Sequence, residues 1–108
     1  MTPISIKPGV HLDKLLPAMH AAILIAADLY QEDFPFTVTG GNEPGHETEG
    51  PHPPGRAVDL RGRHLNERAL RLWAARLGPR LGPAYRVLVE TYPDDPDRNH
   101  LHVDYLGD

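Results

Sequence analysis

The chain contains no cysteine, which excludes a disulfide framework and any thiolate metal site. Aromatics make up only 6% of it and the formal net charge is −4. No dense basic cluster interleaves with aromatics, so a nucleic-acid partner is not expected. Arg68, Arg71, Arg76 and Arg80 are scattered along one segment and read as a solvated helix face. Long apolar runs are missing too: Ala21 to Ala27 is too short to span a bilayer. Asp13 and Lys14 precede it where a signal peptide would carry a basic start, so the expectation is cytoplasmic synthesis without membrane insertion. No internal repeat and no low-complexity tract is present. At 108 residues the chain has room for one core, and a single domain over residues 1–108 is expected, as a monomer.

What the chain does have is a set of oxygen and imidazole donors. His52 lies in His52-Pro53-Pro54-Gly55-Arg56-Ala57-Val58-Asp59, and His100-Leu101-His102 follows much later. Two imidazoles and a carboxylate suit a zinc ion with one open coordination position, where a water becomes acidic enough to serve as a nucleophile near neutral pH. Gly55 and the prolines allow a tight loop to turn into a strand over Ala57–Arg61, so a loop and a strand would converge on one ion. Alternation along Asn99–Tyr105 puts His100, His102 and Asp104 on one face and Leu101, Val103 and Tyr105 on the other. Taken singly, a His in a Pro- and Gly-rich loop is an ordinary solvated residue, and an Asp after an apolar residue is an ordinary turn or cap. Only the combination points to metal chemistry.

Periodicity supplies the frame. Met1 to Gly9 reads as an extended arm. Pro17 suits a first helical turn, and Met19, Ile23, Ala26, Ala27 and Tyr30 recur at helical spacing to about Tyr30, a stripe expected to be core, with His20 off it. Phe36–Thr39 reads as a strand and Gly40 to Pro54 as a long loop. Asn66 can cap a helix over Glu67–Leu77 with Gly78-Pro79 as its stop; Ala69, Leu70, Trp73 and Leu77 form its buried stripe. Tyr85–Glu90 and Asn99–Tyr105 read as strands joined through the Pro-Asp-Asp-Pro-Asp turn, a hairpin that brings Glu90 near His100. The expected architecture is α+β, a mostly antiparallel sheet of about four strands with two main helices on one face and the metal on the other.

The pattern His-x-x-Gly-x-Ala-x-Asp followed by a C-terminal His-x-His strand resembles the LAS zinc peptidases (lysostaphin-type enzymes, D-alanyl-D-alanine peptidases and hedgehog domains), most closely peptidase family M15. The resemblance covers Phe36 to Tyr105, with Thr37-Val38-Thr39-Gly40 similar to the strand before the metal loop and Val87-Leu88-Val89-Glu90 similar to the strand before the last motif. It implies a hedgehog- and D-Ala-D-Ala-peptidase-like fold, a Zn2+ cofactor held by His52, Asp59 and His102, and a peptidoglycan peptide as substrate. A phage lysin released through a membrane pore is the usual setting for such a protein without a secretion signal.

The chain also departs from the pattern. Gly50 stands where many relatives carry Ser, Gly41-Asn42 follow Gly40 where many place an Arg, and Asn99 stands where the D-alanyl-D-alanine branch commonly has Glu. The general base therefore comes from elsewhere, with Glu90 favoured and His100 as its partner at the oxyanion or as the alternative base. His46 is a candidate for contacting substrate, and Arg56 and Arg61, flanking Asp59, for binding its carboxylate. Two other readings stay open: a metal-stapled structural or interaction module, such as a virion protein, and a zinc amidohydrolase of another amide.

Overall fold

The computed structural model describes residues 3–30, 35–43 and 55–107. In chain order these form β1 (Ile4–Ile6), α1 (Pro17–Leu29), β2 (Phe36–Gly40), β3 (Ala57–Arg61), α2 (Glu67–Leu81), β4 (Tyr85–Glu90), a 3-10 turn (Pro96–Arg98) and β5 (His100–Tyr105). The strands make one sheet in the order β1-β2-β3-β5-β4, antiparallel except for the parallel β1–β2 pair. The α+β class with two helices is as expected; the sheet has five strands, because part of the amino-terminal arm pairs with β2.

Each element follows from its residues. Pro17 occupies the first turn of α1, where its missing N–H would have had no intrahelical partner. The stripe from Met19 to Tyr30 is buried and His20 is exposed. Asn66 caps α2, its Oδ1 accepting from the Ala69 N–H at 2.8 Å. The helix does not stop at Gly78-Pro79: it runs to Leu81 with Pro79 inside it. Pro79 sits in the last turn, so it deletes one hydrogen bond near the helix end, and Gly82 N–H closes that turn on Gly78 O at 2.9 Å. Leu81 packs against the core.

Alternation then sorts the sheet. Phe36, Val38, Val58, Leu60, Leu101 and Val103 face the helices, meeting Met19, Ile23, Leu70, Trp73 and Leu77 in one buried cluster. Full burial of such side chains stabilises by about 1.5–3 kcal/mol each. Trp73 belongs to this core, 6% exposed, with Nε1 donating to Ala26 O at 3.3 Å. The opposite face carries Asp59, Arg61, His100, His102 and Asp104. Gly55, with φ +85° and the Lys14 carbonyl 2.3 Å from where a Cβ would lie, lets the chain enter β3 at close quarters. Among the described residues no helix is long and apolar enough to cross a membrane.

Candidate metal centre

The centre of the polar face is the β3–β5 pair. Asp59 and His102 are direct partners in the antiparallel register, which brings their side chains together on one face. His102 Nδ1 lies 3.0 Å from Asp59 Oδ1. Both side chains are largely shielded, 11% and 13% exposed. His100, one pleat along β5, places Nε2 3.6 Å from the same Asp59 oxygen.

Behind His102 lies Asp104, wholly buried, with Oδ2 3.4 Å from His102 Nε2. Arg86 on β4, its register partner, donates to it twice, Nε to Oδ1 at 3.2 Å and Nη2 to Oδ2 at 2.6 Å. The hydrogen bonds that Arg86 donates to the Asp104 carboxylate, and the negative charge of that carboxylate, raise its guanidinium above the ordinary value. The imidazole of His102 is thus held between two carboxylates. The hydrogen bond to Asp59 raises His102 above its ordinary value, aided by the charges of Asp59 and Asp104 and opposed by burial.

His100 is fixed differently. Its Nδ1 is 2.9 Å from the Arg98 carbonyl, and because a carbonyl only accepts, Nδ1 carries the proton. In the neutral ring Nε2 is then an acceptor, aimed toward Asp59. Tyr92 stacks on the ring with centroids 6.0 Å apart and planes at 23°. Glu90 is the register partner of His100 on β4, half-buried on the same face.

The remaining candidates separate. Arg61, opposite His100 in the register, lines the cleft beside Asp59. Burial pushes its guanidinium below the ordinary value, with the charge of Arg63 acting the same way. Arg56 is not brought into this group: Nη1 donates to Gly107 O and the guanidinium lies 5.8 Å over the Tyr105 ring. His46 and His52 lie outside the described residues. Among the described residues no three His, Asp or Glu side chains form a metal-holding group; Asp59 and His102 supply two donors. An imidazole nitrogen and a carboxylate oxygen are donor types that zinc takes.

Sequence reasoning did not find Arg86 or the Arg98 carbonyl. A signal for the first was available: a hairpin that pairs Glu90 with His100 also pairs Arg86 with Asp104. Comparison of the chain with protein-family models, curated proteins and solved structures gives no match.

Proposed function

We propose that this chain is a zinc peptidase that hydrolyses a peptide bond in peptidoglycan stem peptides. The observation that carries the reading is the Asp59–His102 pair, 3.0 Å apart on adjacent strands, at the two positions that resemble the later ligand positions of the M15 pattern. His52, which precedes β3 in sequence and lies outside the described residues, is the third ligand of the proposal. Bound zinc would supply Lewis-acid polarisation of the scissile carbonyl and an acidified water.

The residues of the chain do the rest. Asp104 turns Nε2 of His102 toward itself and leaves Nδ1 directed at Asp59, the arrangement in which an outer carboxylate orients a ligating imidazole. His100 Nε2, unprotonated in the neutral ring and beside Asp59, accepts the proton of the attacking water and returns it to the leaving amine. Its fixed tautomer favours it over Glu90, its register partner on β4.

Purified muropeptides with D-amino-acid stem peptides test this proposal. Cleavage should release new amines without new reducing sugar ends. Zinc-loaded protein that leaves such peptides intact, under conditions where a known lysin digests them, would favour the structural-module reading.

A further inference from the structure

The two edges of the sheet are unlike. β1 is three residues long and is flanked by Pro3 and by Lys7-Pro8, the short, charged and proline-bounded form that keeps a free edge from pairing. β4, at the other end of the strand order, has six residues, carries no proline or lysine, and pairs with β5 in unbroken register. Among the described residues no strand lies against its outer side. Its side chains alternate between the half-buried Val87 and Val89 on the helix side and Arg86, Leu88 and Glu90 on the polar side. Leu88 is 37% exposed.

Two hydrogen bonds fix which way the backbone groups of β4 point. Tyr105 N–H donates to Arg56 O on the β3 side, and Leu106 N–H donates to Ala84 O on the β4 side at 2.6 Å. Bonds alternate along an antiparallel pair, so Arg86, Leu88 and Glu90 turn their N–H and C=O toward β5, while Val87 and Val89 turn theirs out of the sheet. Tyr85 points outward too, but its N–H closes a turn on Gly82 O at 3.2 Å. An incoming antiparallel strand therefore bonds to Val87 and Val89.

A second β4 meets that demand when Val87 of each copy pairs with the partner's Val89. The register then sets Leu88 against the partner's Leu88 on a two-fold axis, with Arg86 against the partner's Glu90 on either side of it. Sliding by two residues puts one of those charges opposite leucine, and sliding by four opposes Arg86 to Arg86 or Glu90 to Glu90. Opposite charges face each other directly in one register alone. Arg86 is already positioned for it: Asp104 holds the guanidinium, yet the side chain remains 45% exposed, and its five donors exceed what one bidentate carboxylate takes.

We infer that β4 is a dimerisation edge, through which two copies of this chain pair antiparallel about Leu88 into one ten-stranded sheet. The contact is isologous, so it closes at two copies. Leu88 is the register partner of His102, so the two His102 positions fall on one line across the sheet, on the same face, three strand spacings or about 14 Å apart. The dimer would present two candidate centres side by side. The inference stands on sheet topology and charge pattern and does not rest on the peptidase reading.

Sedimentation equilibrium of the full chain tests it, in chelator so that zinc cannot bridge two copies. At roughly 1 mM protein, where a contact with a dissociation constant near 1 mM is half formed, the mass should rise from 12.0 kDa toward twice that. Leu88→Lys, which sets two ammonium groups face to face on the axis, should weaken the dimer at least tenfold and leave the melting temperature of dilute protein unchanged. A second variant reads the register. Residues facing each other in a non-hydrogen-bonded pair have Cα atoms about 4.5 Å apart, within disulfide range, and the chain has no other cysteine. Leu88→Cys should therefore form a disulfide dimer on mild oxidation at least tenfold faster than Leu72→Cys, whose position on α2 is 49% exposed. A monomer at the highest concentration, a dimer of wild-type strength in Leu88→Lys, or equal oxidation rates for the two cysteine variants overturns the inference.

Discussion

Asp104 is buried against the ring of His102, its Oδ2 3.4 Å from Nε2, while Arg86 holds both of its oxygens from the neighbouring strand. This contact sets which nitrogen of His102 faces Asp59. Removing the charge but not the shape, in Asp104→Asn, should weaken zinc binding by about 10- to 100-fold, the usual cost of losing an outer carboxylate. Competition against a chelator of known affinity measures it. An unchanged zinc affinity in a folded Asp104→Asn protein would show that the contact does not orient the ligand.

Zinc itself should stabilise the fold, because dispersed ligands converge only in the native chain. At a free zinc concentration 1,000 times the dissociation constant the gain is about 4.1 kcal/mol. A chelator should lower the melting temperature and added zinc should restore it. His52→Ala, Asp59→Ala and His102→Ala should each lose stoichiometric zinc by elemental analysis; full occupancy in all three would remove the ligand assignment.

The base assignment makes a kinetic prediction. Loss of a general base costs about 10² to 10⁴ in rate. His100→Ala should lose activity on that scale while keeping zinc and fold, and Glu90→Gln should lose less. A near-normal His100→Ala beside an inactive Glu90→Gln would return the role to Glu90.

The raised pKa of His102 in the metal-free protein gives a pH dependence with a definite sign. Its contribution to stability is fully present below the unfolded value, about 6.5, and is lost as pH rises through the higher folded value. In chelator, the melting temperature of the wild type should therefore exceed that of His102→Gln most at pH 6, and the gap should narrow by pH 8. The stabilisation by zinc should grow over the same range, since the ligating ring must be unprotonated. A gap that widens with pH would contradict the Asp59–His102 hydrogen bond.

Gly55→Ala tests the entry to β3. An alanine there combines φ +85° with a Cβ 2.3 Å from the Lys14 carbonyl, so a loss of roughly 1–3 kcal/mol is expected. Urea denaturation of the metal-free protein measures it, and an unchanged midpoint would mean the backbone relaxes freely.

Short-range pattern determined much of this protein. Helical spacing marked the stripe from Met19 to Tyr30 and the one through Leu70, Trp73 and Leu77, since a period of 3.6 is imposed by local geometry. Alternation put His100, His102 and Asp104 on one face of β5, because a pleat has no other choice. The turn between β4 and β5 is short, so even the pairing of Glu90 with His100 was within reach of the sequence. Local pattern did not reveal where distant segments meet. Asp59 and His102 lie 43 positions apart, with α2 and β4 between them. Their pairing depends on both helices packing on one face, which seats β3 between β2 and β5. The same packing sets Leu81 against the core, in a helix that runs past Pro79. Pairing of β1 with β2 likewise depends on chain segments far apart in sequence. Arg56 and Arg61 looked equivalent as flanks of Asp59, and only the tertiary contacts tied one to Gly107 and placed the other in the cleft.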